Sequence, residues 1–61
     1  MIIYMVVVKH EGKKGWEIAH MGGFAKREDA KVVADDRQKA AIYHERKDVF
    51  GVGELVVYEG Q

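Results

Sequence analysis

The sequence lacks cysteine, serine, threonine and proline, and each absence excludes a class of structure or chemistry. Without cysteine, the chain can form neither a disulfide framework nor a thiolate metal site. Without serine, threonine or cysteine, the commonest covalent nucleophiles are missing. Without proline, the sharp turns fall to the seven glycines. These absences favour a protein that is not an enzyme, and we expect no catalytic residue, metal or other cofactor.

Length and charge set the next limits. The 61 residues are enough for one domain, which we expect to span residues 1–61. A chain of this size buries about 60% of its unfolded surface, so association with a partner would help to stabilise it. Ten basic and ten acidic residues cancel, which argues against binding nucleic acid by charge alone. No segment resembles a secretory signal or a membrane helix, so the prediction is a cytoplasmic protein with no membrane partner.

Residues 2–8 are seven apolar residues in succession, and they are the feature on which the fold prediction depends. A strand with one solvated face alternates apolar and polar residues, because successive side chains point to opposite faces. This segment does not alternate, and its β-branched residues favour a strand. It therefore predicts the central strand of a sheet that is covered on both faces.

The remaining patterns predict a small α+β domain. Glycines mark a polar loop over residues 9–15, and a second strand is expected over residues 16–21. Strong helix formers fill residues 26–45, residues 46–53 have the composition of a connection, and residues 54–59 are again apolar on both faces. We expect the order β1-β2-α-β3, with a three-stranded antiparallel sheet in the spatial order 2-1-3 and the helix packed on one face.

One stripe of the predicted helix carries small side chains. Residues spaced by about 100° of helical rotation fall on a single face. Alanine on such a face allows a helix to lie close to a sheet. The stripe consists of Ala30, Val33, Ala34, Arg37, Ala41 and His44.

A single helix cannot cover both apolar faces of this sheet. The uncovered face is expected to be an interaction surface, although the sequence does not tell which face it is. A homodimer, formed by stacked faces or by paired strand edges, would cover it, and a host or cellular protein target is the other protein partner. The predicted interface residues are Tyr4, Val6, Val8, Trp16, Ile18, Val56 and Tyr58.

Histidines and paired carboxylates are the remaining candidates for chemistry. His10, His20 and His44 are widely spaced, so no metal-ligand spacing is present and a surface position is the simpler interpretation. Asp35 and Asp36 point about 100° apart on a helix and do not converge on one atom. These residues are expected to belong to solvated faces.

The alternative function is nucleic-acid binding through a basic hairpin. A two-stranded ribbon can enter a major groove while lysine and arginine contact phosphates. Residues 16–30, with Gly23-Phe24 and Arg27-Glu28-Asp29-Ala30, resemble the turn that leads from sheet to helix in AP2-like and integrase arm-binding domains. The residues of this alternative are Lys9, His10, Lys13, Lys14, Lys26 and Arg27.

The predicted architecture also resembles a second class, the short phage-encoded proteins that bind and inhibit a host enzyme. This resemblance rests on size and the β-β-α-β order, without a shared motif. It implies a regulatory protein of the phage or mobile-element type, acting as an inhibitor or adaptor. We take a small non-enzymatic interaction protein as the first prediction and the DNA-binding hairpin as the second.

Overall fold

The computed structural model describes residues 1–19 and 22–58 and contains three strands and one helix in that part of the chain. In chain order these are β1 (Ile2–Lys9), β2 (Glu17–Ile18), α1 (Arg27–Tyr43) and β3 (Val49–Val56). Both strand pairs are antiparallel, and the spatial order is β2-β1-β3. The predicted fold class and sheet order are therefore confirmed.

β1 is the central strand, as its unbroken apolar sequence predicts. Along its full length it pairs with β3, with Val6 opposite Val52. On its other edge, Val7 lies opposite Ile18, and the Ala19 N–H donates to the Val6 carbonyl over 2.9 Å. Further along this edge, Tyr4 and Phe24 exchange two main-chain hydrogen bonds of 2.8 Å. β1 therefore makes main-chain hydrogen bonds along both of its edges.

α1 packs across β1 and β3 through alanine side chains. Ala30, Ala34 and Ala41 are its buried residues, which confirms the alanine part of the predicted stripe, whereas Arg37 and His44 are exposed. Beneath the alanines lie Val6 and Val8, which are 0% and 4% exposed. Because alanine has only a Cβ, the helix backbone can approach the sheet closely, and valine methyl groups fill the space between the layers. The core is small and sits between α1 and one face of the sheet.

The two ends of α1 differ in how well the sequence fits them. At the N-terminus, Lys26 provides no side-chain cap, although Glu28 and Asp29 in the first turn favour the positive end of the helix dipole. At the C-terminus, the Arg46 N–H donates to the Ala41 carbonyl over 2.8 Å, and Glu45 adopts a φ of 57°. This is a Schellman motif, in which glycine usually occupies the position of Glu45. The local sequence therefore does not predict that α1 ends here.

Two predicted boundaries are wrong. Residues 46–53 were expected to form a connection, but Val49–Val56 is one continuous strand. Gly51 and Gly53 were the misleading signal, because glycine in the middle of a strand is typical of a turn. The described part of β2 comprises only Glu17 and Ile18. The predicted ends of these two strands, residues 20–21 of β2 and residue 59 of β3, lie outside the described residues.

Within residues 1–19 and 22–58, no helix combines the length and the apolar composition that a membrane span requires.

Candidate interaction surface

The two faces of the sheet differ sharply in cover. Even-numbered residues of β1 and β3, including Tyr4, Val6, Val8, Phe50 and Val52, share the face that α1 covers, because register and alternation fix their side. Odd-numbered residues point to the opposite face, on which the described chain places no helix. We call this second side the open face; it comprises Ile3, Met5, Val7, Trp16, Ile18, Val49, Gly51, Gly53 and Leu55.

The open face is apolar and accessible to solvent. Trp16 is 52% exposed, Ile18 is 58% exposed and Leu55 is 47% exposed. The β1 residues between them are half-buried by their neighbours. Large apolar side chains that lie together at this exposure on one sheet face are characteristic of protein contact surfaces.

A hollow of about 460 Å³ lies on this side of the sheet and is lined by Val7, Trp16, Gly51, Val52 and Gly53. The two glycines create it. A Cβ at Gly51 would lie 3.7 Å from Cζ3 of Trp16, so the indole extends over the bare main chain of β3. A Cβ at Gly53 would lie 3.2 Å from Cγ1 of Val7 and would crowd it. The hollow is therefore an apolar space that the side chains of the described residues leave unfilled.

The predicted interface residues divide between the two faces. Trp16 and Ile18 lie on the open face, as a contact surface requires. Val6 and Val8 lie under α1 and are almost completely buried, so their assignment to an interface is wrong. Tyr4 is half-buried on the same side, and Val56 continues that side beside Ile2. Tyr58 follows the end of β3 and is 82% exposed. The structure does not bring these seven residues together.

The open-face residues that the predicted interface does not include are Ile3, Met5, Val7, Val49, Gly51, Gly53 and Leu55. Leu55 is part of the open face, and the two glycines form its hollow. The signal that could have found them is the alternation in residues 49–56, where Phe50 and Val52 are separated by glycine. A strand with glycine at every odd position in its middle leaves a gap on one face only. Because residues 46–53 are predicted to form a connection, this alternation is not recognised as part of a strand.

Asp48, just before β3, is a carboxylate whose oxygens contact the side chains of His10 and Arg46. Asp48 is 8% exposed. His10 Nδ1 donates to Oδ1 over 3.0 Å, and Arg46 Nη2 lies 2.6 Å from Oδ2. Glu17 Oε2 lies 3.4 Å from the other ring nitrogen of His10. This cluster fastens the loop after β1 to the start of β3, and we assign it a structural role.

These contacts give Asp48 a lowered pKa. The hydrogen bond from His10 is the main cause, burial opposes it, and the charge of Arg46 acts in the same direction as the hydrogen bond. A carboxylate whose pKa falls on folding stabilises the native state above its unfolded pKa, which is near 3.8. That stabilisation is lost as the pH falls below 3.8 and approaches the lowered native value.

We therefore expect Asp48→Asn to lower stability at neutral pH and to change its acid dependence. The difference in free energy of unfolding between wild type and variant should be constant above about pH 5 and shrink steadily towards about pH 2. Chemical denaturation monitored by circular dichroism at a series of pH values measures this difference. Asp36→Asn on the exposed side of α1 is the matched control and should show no such change. A difference that stays constant down to about pH 2 would contradict the role assigned to Asp48.

The basic residues of the alternative function are split between two ends of the sheet. Lys9, Lys13 and Lys14 lie at the hairpin end, where Lys9 pairs with Val49. Arg27 lies at the other end, where its Nη1 is 3.5 Å from Oε1 of Glu54. Lys26 adjoins Arg27 at the start of α1. His10 is already engaged by Asp48 and Glu17. The structure does not assemble these six residues into one basic patch.

The remaining histidines form no metal centre in the described chain. His44 packs edge-on against Tyr43, with ring centroids 5.3 Å apart. His20 lies outside the described residues. Among residues 1–19 and 22–58, no group of three or more histidine, cysteine, aspartate or glutamate side chains is arranged to hold a metal ion.

Comparison with known proteins adds no relative: no family model, no curated protein and no solved structure matches this chain.

Proposed function

We propose that this chain is a small non-enzymatic protein-protein interaction or regulatory protein, of the inhibitor or adaptor type that phages and mobile elements encode. It acts through its sheet, both as a homodimer and towards a protein target. The observation that carries the proposal is the open face: accessible apolar side chains surround a hollow of about 460 Å³ that no described part of the chain fills. The absence of serine, threonine and cysteine, which are the commonest nucleophiles, also supports a non-enzymatic role.

Trp16 is the residue most directly involved in this proposal. Tryptophan beside a desolvated pocket is the side chain most often responsible for a large share of binding energy at protein interfaces. Its indole borders the hollow, and half of its surface is accessible. As the single tryptophan of the chain, it also supplies a fluorescence signal that reports directly on the open face.

Trp16→Lys should therefore abolish target binding while the chain stays folded. The experiment captures proteins from the native host on immobilised wild type, Trp16→Lys and Val32→Lys. Val32 is 67% exposed on the outer side of α1, so its variant carries the same new charge away from the open face. Each protein retained by wild type is then purified, and its affinity for wild type, Trp16→Lys and Val32→Lys is measured by isothermal titration calorimetry. We expect at least about tenfold weaker binding to Trp16→Lys.

Two results would contradict the proposal. One is a target that binds Trp16→Lys and Val32→Lys equally well. The other is tight binding of duplex DNA that weakens steeply with salt and disappears in Lys13→Glu, Lys14→Glu, because that response is typical of phosphate contacts. Circular dichroism of each variant confirms that the fold is retained before binding is compared.

A further inference from the structure

The outer edge of β3 carries main-chain groups that point away from the sheet. The Met1 amino group donates to the Val57 carbonyl over 3.0 Å, and the Val57 N–H donates to the Met1 carbonyl over 2.7 Å. Antiparallel ladders alternate, so this pair fixes the direction of every group along β3. Odd-numbered residues bond to β1. The N–H and C=O groups of Phe50, Val52, Glu54 and Val56 point outward.

One end of this edge is closed by a side chain from α1. Gln38 Nε2 donates to the Asp48 carbonyl over 2.9 Å, and the Phe50 N–H donates to Gln38 Oε1 over 2.9 Å. The amide group therefore makes the two bonds that a residue of a neighbouring strand would make. Beyond it, within residues 1–19 and 22–58, the outward main-chain groups of Val52, Glu54 and Val56 have no hydrogen-bond partner.

The open part of the edge lacks the usual protection against pairing. Edge strands are commonly protected by proline, lysine or a charge that points inward, and β3 contains neither proline nor lysine. Its single charged residue, Glu54, lies 3.5 Å from the Arg27 guanidinium, which offsets its charge. An exposed edge of this kind pairs readily with another strand.

We propose that β3 pairs antiparallel with β3 of a second copy, with the two Gly53 residues opposite each other on the two-fold axis. This inference rests on the proposed function and specifies the interface of its homodimer. In this register Val52 of one copy forms a hydrogen-bonded pair with Glu54 of the other copy. The two-fold axis repeats this pair with the copies exchanged. The three-stranded sheet continues across the axis with both helices on the same side.

The neighbouring registers are less favourable. Placing Glu54 on the axis would set two carboxylates directly opposite each other, which destabilises a strand pair. Placing Val52 on the axis would set Gly51 beside Gly53 of the second copy and leave bare main chain against bare main chain. Gly53 on the axis avoids the carboxylate pair and leaves one glycine pair instead of two, and it keeps the pairing on the side of the edge that Gln38 leaves open.

The same register fills the hollow. It places Leu55 of the second copy directly opposite Gly51, in a non-hydrogen-bonded pair where opposing Cα atoms lie about 4.5 Å apart. Leu55 is 47% exposed in the single chain, and the Trp16 indole extends over Gly51. Its side chain can therefore occupy the space between Trp16 and Val7. Stacking two open faces would instead place hollow against hollow, which favours the edge as the site of self-association.

The first test measures mass by analytical ultracentrifugation of the purified full chain from about 10 µM to about 1 mM. We expect wild type to approach twice 6.9 kDa as concentration rises. Glu54→Pro removes an outward N–H without breaking a bond to β1, and it should weaken the dimer at least about tenfold. Glu54→Gln loses the same contact with Arg27 but keeps its N–H, so it should remain dimeric.

The second test fixes the register and does not depend on how well the proline variant folds. The chain has no cysteine, so introduced thiols are unique. Gly51→Cys mixed with Leu55→Cys should give a disulfide-linked heterodimer on mild oxidation, because these positions face each other across the axis. Each variant alone should link far less, since its thiols lie four residues apart in the pair.

A chain that stays at 6.9 kDa at every concentration and forms no cross-link would overturn the proposal. A dimer that persists in Glu54→Pro and is lost in Trp16→Lys would also overturn it, in favour of stacked open faces. A β3 edge that binds an extended peptide but never a second copy would overturn it in a third way. In all three cases the capture experiment with Trp16→Lys still tests the proposed function separately.

Discussion

Replacing Ala34 by leucine is expected to destabilise the fold by about 1–3 kcal/mol, because the larger side chain has no space between α1 and the sheet. Ala34 is 4% exposed and lies on the alanine side of the helix, against the valines of β1. A domain of this size has a total stability of about 3–5 kcal/mol. A change of this size would remove a large share of that stability.

Ala40→Leu is the matched control, since Ala40 belongs to the same helix and is exposed. Leucine is nearly as good a helix former as alanine, so the control should change stability by less than about 0.5 kcal/mol. Urea denaturation followed by circular dichroism measures both variants. Equal stability of Ala34→Leu and wild type would show that α1 does not lie as close to the sheet as the buried alanines indicate.

Replacing Val6 by alanine is expected to cost about 2 kcal/mol. Val6 is 0% exposed and occupies the centre of the middle strand, directly under α1. Losing both γ-methyl groups forfeits their transfer free energy and leaves a small cavity that a close-packed interior does not refill. Because the core contains few large side chains, no neighbour can move to replace the lost contacts.

The control for this variant is Val32→Ala, which removes the same atoms from a residue that is 67% exposed on α1. It should be neutral or slightly stabilising, because alanine is the better helix former. The same denaturation experiment compares the two. A Val6→Ala protein as stable as the Val32→Ala protein would mean that the helix-covered side of β1 is not the core.

Much of this fold could be predicted from residue patterns alone. The unbroken apolar sequence of β1 identifies a strand with neighbours on both edges, and the alanine stripe identifies the inner side of α1. Both are strong because each depends on many residues at once. The start of β3 could not be predicted, since Gly51 and Gly53 are locally typical of a turn and their strand conformation is imposed by pairing with β1.

The sheet face that α1 leaves uncovered could not be predicted for a related reason. Alternating residues of β1 are apolar on both sides, so its sequence contains no information about which side α1 covers. The difference lies in β3, where Phe50 and Val52 face the helix and glycine faces away. Because the sequence predicts a connection over residues 46–53, the part of β3 that distinguishes the two faces is not apparent, and Val6 and Val8 cannot be assigned to the helix-covered side. The face on which Trp16 and Ile18 lie is fixed by the pairing of β2 with β1, which puts both on the open face.

The alanine contact between α1 and the sheet has a consequence for how this sequence can vary over evolutionary time. At Ala30, Ala34 and Ala41, any larger side chain collides with the strands, and only glycine is smaller, at a cost in helix propensity. Substitution of these three alanines is therefore restricted, both towards larger residues and towards glycine. The outer side of the same helix carries no such restriction. In distant homologues of this sequence, we expect alanine to be retained at these three positions more often than any charged residue of the helix.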